Sequence, residues 1–321
     1  AQMEQMMHTD TAALNDYLKA YTDYMPNSEA CQVNIANSIW FRDRDSLAIN
    51  EDFLKTSRNY YDASIFEAPF DAGTRDDINS WVKKETNGMI QKLLEEAPPR
   101  DAVMYLVNAL SFDGEWRDIY KKNQIHKGTF NAENGEHQSA EFMYSTEAVY
   151  LENTLGRGFL KPYGDGAYAF AAVLPDEGMT MKEFLERLKE NGITDLLEQT
   201  RNKTVCVRLP KFTVEYNVVL NESLMESGMK DAFDSQKADF SSMAHSDNDN
   251  IYISKVIHKT KIDVDEKGTK AGAVTAVEVS EGSAVQTEEP KEVFLDRPFF
   301  YMIIDTRQNF PLFMGCLMQL E

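Results

Sequence analysis

Cysteine, histidine and positive charge are all scarce in this sequence, and each scarcity closes off a class of function. The 321 residues hold 3 cysteines and 5 histidines. Cys31, Cys206 and Cys316 stand far apart in apolar or strand-like runs, an odd set without the close spacing that a disulfide framework or a zinc site needs. They read as small buried hydrophobic residues. His8, His126, His137, His245 and His258 fall in no metal-ligand spacing, and neither a G-x-S-x-G elbow nor a phosphate loop occurs. An enzyme is therefore not expected, nor a metal or other cofactor. Asp247 and Asp249 in the run SDNDN lack the glycine and terminal glutamate of a calcium loop and read as a solvated acidic loop.

Lysine and arginine number 33 against 53 aspartates and glutamates, a formal charge of -20. A surface that acidic repels phosphate backbones and anionic lipid headgroups, so nucleic acid and membranes are poor partners, whereas a cationic protein would be drawn in. No run approaches the apolar length of a membrane span. The opening AQMEQMMHTDTAALNDYL has neither the basic start nor the apolar core of an export signal, so any such signal is expected outside this chain.

What is present suffices for a sizeable core, with 42% hydrophobic and 27% charged residues. Ala12, Leu14, Leu18 and Tyr21 recur at helical spacing before Pro26, and the branched and aromatic run Cys31 to Phe41 predicts a buried strand. Asp76 to Glu96 predicts a helix that breaks at Asn87-Gly88 and leads into another short helix. Ala102 to Phe112 is almost continuously apolar, as suits a central strand covered on both faces, and Asp113-Gly114 is expected to end it in a turn. Further strands are expected at Gly158 to Lys161, Ala167 to Leu174, Thr204 to Leu209, Phe212 to Tyr216, Lys255 to Asp263, Phe299 to Ile304 and Leu312 to Leu317, with helices near Met181 to Asn191 and Leu220 to Met225. With no internal repeat or low-complexity linker, residues 1-321 read as a single α+β domain. Asn221-Glu222-Ser223 is a nominal glycosylation site.

The segment from Glu266 to Glu292 is small, branched and acidic in composition and lies between two strands, and a loop of that length inside a compact domain is usually functional. It alternates: Thr269, Ala271, Ala273, Thr275, Val277 and Val279 point one way, while Lys270, Gly272, Val274, Ala276, Glu278 and Ser280 point the other. One face is thus uncharged and small enough to slide between two strands. Periodicity alone fits an edge strand or a flexible linker equally well.

The flanks decide. KVIHKTKIDVDEKGT precedes the segment and VFLDRPFFYMIIDTRQNFPLFMGCLM follows it, and here the chain resembles the serpins, the serine protease inhibitor family. NALSFDGEW (Asn108 to Trp116), LPDEG (Leu174 to Gly178), Leu209-Pro210-Lys211 and SGMKDAF (Ser227 to Phe233) match further family motifs in the family's order. The resemblance implies a serpin fold with a large central sheet, smaller sheets, surrounding helices and an exposed reactive centre loop at 266-292. It also implies a domain that lacks the helices and strand with which members usually begin. Glu266, Lys267, Gly268, Thr269, Ala271, Ala273 and Thr275 correspond to the hinge. Asn108 and His258 correspond to the shutter pair, where His258 is expected to be buried, Trp116 to the breach, and Lys211 to the ion-pair partner of Glu266.

The implied function is suicide inhibition of a serine protease, without catalysis by the chain itself. A protease cleaves the loop and forms an acyl-enzyme, after which the loop inserts into the main sheet and traps the protease as a covalent complex. Counting from Gly268 by the family's usual spacing places the reactive bond at Gly282-Ser283, with Val279, Ala284 and Val285 as alternatives in a window reaching Thr287. No Arg, Lys or large aromatic lies between Val277 and Thr287, which favours an elastase-like or subtilisin-like target over a trypsin-like or chymotrypsin-like one. The resemblance is to an inhibitory bacterial-type serpin acting as a monomer, outside the cell or at its surface. The alternative is a non-inhibitory serpin that serves as a binding or chaperone-like protein.

Overall fold

The computed structural model describes residues 2-43, 46-99, 102-198, 200-247, 250-269 and 290-320. Helices are α1 (Gln2–Met7), α2 (Thr11–Asp23), α3 (Glu51–Tyr61), α4 (Ala72–Glu85), α5 (Met181–Asn191), α6 (Ile193–Glu198) and α7 (Asn221–Glu226). The first strands are β1 (Cys31–Arg42), β2 (Leu47–Ile49), β3 (Ser64–Ala68), β4 (Met104–Glu115), β5 (Ile125–Asn131), β6 (His137–Glu152), β7 (Gly156–Pro162) and β8 (Tyr168–Pro175). They are followed by β9 (Thr200–Pro210), β10 (Phe212–Val219), β11 (Ala244–Ser246), β12 (Ile257–Val264), β13 (Gly268–Thr269), β14 (Lys291–Phe294), β15 (Phe299–Asp305) and β16 (Phe310–Leu317). One sheet runs β10-β12-β13-β4-β1-β3, a larger one runs β14-β9-β6-β7-β8-β15-β16 with β5 beside β6, and β11 pairs with β2.

Contacts divide the chain into two compact units. The first comprises Ala1–Pro26, Val33–Ser111 and Glu215–Lys261. Its core forms because α4 presents Ile78 and Val82 to Trp40, Val107 and Ala109. Asp71 starts that helix with a reciprocal capping box to Thr74. The second helix expected before Glu96 does not form. Past Asn87 and Gly88, both at positive φ, the Asn79 carboxamide oxygen accepts from the N–H groups of Leu93 and Leu94 at 2.8 Å each. Its Nδ2 donates to the Leu94 carbonyl. These bonds satisfy backbone that a helix would otherwise satisfy, while Ile90 and Leu94 still reach the core. In the same unit Asn221 commits its carboxamide to the Ser254 carbonyl and the Val256 N–H.

The second unit comprises Asn27–Gln32, Phe112–Val214 and Ile262–Glu321. Every residue of β8 and of β15 is buried, as their near-continuous apolar runs require. They pair antiparallel from Phe300 opposite Val173 to Asp305 opposite Tyr168. On one face α5 lays Met181, Phe184 and Leu188 against Ala171, Val173 and Met302. The Asp113-Gly114 turn expected from sequence is absent. The strand continues to Glu115, because Gly114 and Glu115 pair with Thr269 and Gly268, and the Glu115 N–H donates to the Ala30 carbonyl. Cys31 is buried, and burial pushes its thiol up to about 12.

Candidate functional site

The chain reverses between β12 and β13 because Asp265 supplies an Asx turn. Its carboxylate accepts from the N–H of Lys267 at 2.7 Å and of Gly268 at 3.2 Å, and its own N–H donates to the Gly268 carbonyl. Thr269 then pairs antiparallel with Val264 on one side and Gly114 on the other. Gly268 approaches β4 so closely that a Cβ there would stand 2.0 Å from the Gly114 carbonyl oxygen. Only glycine permits that approach.

Three consecutive carbonyls of the turn are held from one neighbouring segment. The Trp116 indole Nε1 donates to the Asp265 carbonyl at 2.8 Å. The Tyr120 N–H donates to the Glu266 carbonyl, and the Trp116 N–H to the Lys267 carbonyl. Trp116 is 2% exposed and stacks on Tyr163, with ring centroids 4.4 Å apart and planes 11° from parallel. The Tyr163 hydroxyl lies 2.5 Å from the Oγ1 of Thr269, itself only 1% exposed. Burial holds the Tyr163 phenol well above its ordinary value, so it remains a neutral hydrogen-bonding group. Gly268 and Thr269 are both buried.

Lys211 closes the turn from another side. Its ammonium reaches Glu266 at 2.8 Å and Glu141 at 3.0 Å. The hydrogen bond from Lys211 holds Glu266 below the ordinary glutamate value. Burial alone would lower Lys211, but its two carboxylate partners outweigh that and raise it. All three groups are partly solvated, so the cluster is worth roughly 0–1 kcal/mol. Replacing Lys211 with Met should cost no more than that at neutral pH. A depressed carboxylate contributes at pH values above its unfolded pKa and loses its contribution as pH falls through the folded one. A raised ammonium contributes below its unfolded pKa and is lost only in alkali. The stability difference between wild type and Lys211→Met should thus stay level from about pH 5 to 9 and fade in acid below the ordinary glutamate value of about 4.5. Denaturant titrations across that range would measure it.

The sequence pairs Asn108 with His258, but the structure gives each a different setting. The Asn108 carboxamide donates to Asn37 at 2.9 Å, and His258 is exposed instead of buried. By strand parity His258 shares a face with Ile262 and Val264, yet at this level that face opens to solvent, as the exposure of Leu106 also shows. A cavity of about 510 Å³ lies beside Asn108, lined by Met104, Leu106 and Asn108 of β4, by Ile251 and Ile253 ahead of β12 and by Ile257 at its start, and His258 is not among its lining residues. Lys267 is exposed. Ala271, Ala273 and Thr275 of the expected hinge lie outside the described residues, as do Val279, Gly282, Ser283, Ala284 and Val285 of the expected bond.

Asp265, Tyr120 and Tyr163 escaped the sequence reading. The Asp-x-x-Gly spacing could have pointed to the first. No local signal marks the tyrosines, which are brought in by chain folding.

A family model described as serpin (serine protease inhibitor) matches residues 1–320. An uncharacterized serpin-like protein of Methanosarcina acetivorans is 32% identical over 292 residues, covering 88% of this chain and 67% of that protein. One of Thermococcus kodakarensis is 32% identical over 291 residues, covering 88% and 65%. The chain thus spans about two thirds of the length of these curated relatives. Among solved structures, the thermophilic serpin Tengpin in its native state is 43% identical, with a TM-score of 0.92 over 99% of this chain and 82% of that one. Tengpin in its latent state gives 42% identity and a TM-score of 0.87, over 100% and 85%. An α+β architecture, a glycine-tight turn anchored on Trp116 and a family match along the chain lead to one conclusion: this protein belongs to the serpin family.

Proposed function

We propose that this chain inhibits serine-type endopeptidases as a suicide substrate, by loop cleavage, acyl-enzyme trapping and insertion of the loop into the sheet that holds β4 and β12. Family membership supports protease inhibition over catalysis in general terms. The observation that carries the finer reading is β13, a two-residue strand between β12 and β4, antiparallel to both. A strand continued from Thr269 in the same register would bring Thr275 opposite Asn108 on β4 and His258 on β12. Ala271, Ala273 and Thr275 would then share the side of Thr269, a face that is buried at Thr269 and open at the level of His258, and all are small and uncharged.

The chemistry of the trap belongs to the protease. Its serine oxygen adds to the scissile carbonyl, the peptide C–N bond breaks, and the new amino terminus takes the proton. An ester between inhibitor and protease remains. Insertion, faster than the attack of water on that ester, would carry the protease away from its working geometry.

Incubation with an elastase should give a complex that survives a denaturing gel, and sequencing of the released fragment should place the cut within Val279 to Thr287. Trypsin and chymotrypsin should give none. A cut outside that window would overturn the bond assignment. Clean cleavage with no complex would replace inhibition by the binding or chaperone-like alternative. A monomer acting outside the cell or at its surface completes the proposal.

A further inference from the structure

The second unit buries a charged pair that the trapping reaction does not use. Lys161 on β7 is 1% exposed and Glu147 on β6 is 7% exposed, with Nζ and Oε1 2.8 Å apart. Ser145 donates to the same Glu147 oxygen at 2.6 Å, and the Tyr120 hydroxyl lies 3.2 Å from the Ser145 oxygen. The Lys161 ammonium also sits 4.5 Å from the Tyr120 ring centroid and 5.4 Å from that of Trp116. Those two residues hold the carbonyls of Asp265, Glu266 and Lys267.

A buried ion pair is a poor source of stability, because the cost of desolvating both charges rivals their attraction and an apolar pair of similar size often does as well. An ammonium between two aromatic rings does something an apolar side chain cannot, since the attraction depends on the rings presenting their faces to it. We propose that Lys161 and Glu147 are positioning residues for the hinge: Glu147 fixes the ammonium, and the ammonium orients the two aromatic residues whose backbone and indole N–H groups grip the turn before Thr269. The consequence for inhibition rests on the reading given under Proposed function; the mechanical role does not.

Hydrogen exchange tests it without a protease. Lys161→Met alone leaves Glu147 buried and unpaired, which risks the fold. The variant to use is therefore the double one, Lys161→Met with Glu147→Gln, in the full chain. In it the amides of Trp116 and Tyr120 should exchange at least tenfold faster than in wild type, while those of Ala171 and Val173 in β8 stay within about twofold. Unchanged exchange at Trp116 and Tyr120 would overturn the proposal. So would a rise shared equally by β8, or a double variant that does not fold, since either would mean the pair supports the sheet as a whole. A wild-type chain that forms no covalent complex would refute the inhibitory reading and leave the exchange result intact.

Discussion

Cleavage between Val279 and Thr287 is expected to raise the unfolding temperature of this protein by about 15 °C or more. An inserted strand adds about ten ladder hydrogen bonds at a net of roughly 0.5–1.5 kcal/mol each, on the order of 10 kcal/mol in all. Unfolding entropy of about 2 cal/mol/K per residue over 321 residues converts that sum to a midpoint shift near the stated value. Burial of the alanine, threonine and valine side chains adds to it. The two-residue β13 supplies the start, since its pairing to Val264 and Gly114 already fixes register and direction. Calorimetry before and after limited proteolysis gives the number. Equal midpoints would mean that the cut segment stays out of the sheet, and insertion would fall as a mechanism.

The second large effect belongs to Thr269→Arg. Threonine at this position is 1% exposed and hydrogen-bonded to Tyr163. A guanidinium there would lose its water without gaining a carboxylate, a penalty of several kcal/mol. The arginine would be expelled from β13 before cleavage, so insertion would have to bury it and its first step would be uphill, while the residues around the scissile bond are untouched. Elastase should cut the variant at the wild-type rate, the yield of covalent complex should fall at least tenfold, and the thermal gain on cleavage should vanish. Thr269→Ser keeps the hydroxyl and should behave as wild type. A full yield of complex from the arginine variant would remove the hinge from the mechanism.

Segments that carry one strong physical signal were legible in the sequence. Ala167 to Leu174 is apolar throughout because β8 is buried at every position. Met181 to Asn191 has the observed bounds of α5, where Thr180 and Glu183 form a capping box. Other elements mix signals. β6, HQSAEFMYSTEAVYLE, pairs with β5, β9 and β7 along different stretches, so no single alternation runs through it. In α3 only Ser57 is buried, which leaves no apolar stripe to read. The site divides likewise. Gly268, Thr269, Trp116, Lys211 and Glu266 come together, and each lies in a run that the sequence singles out. The exposure of His258, and the meeting of Lys161 with Glu147, depend on strand neighbours that no local pattern encodes.

The complete burial of β8 and β15 separates what selection can alter from what it must keep. Almost any side-chain exchange in those strands changes packed volume. On the inhibitory reading proposed above, a lineage would change its target protease by substitutions outside these two strands, with the packed scaffold left as it was.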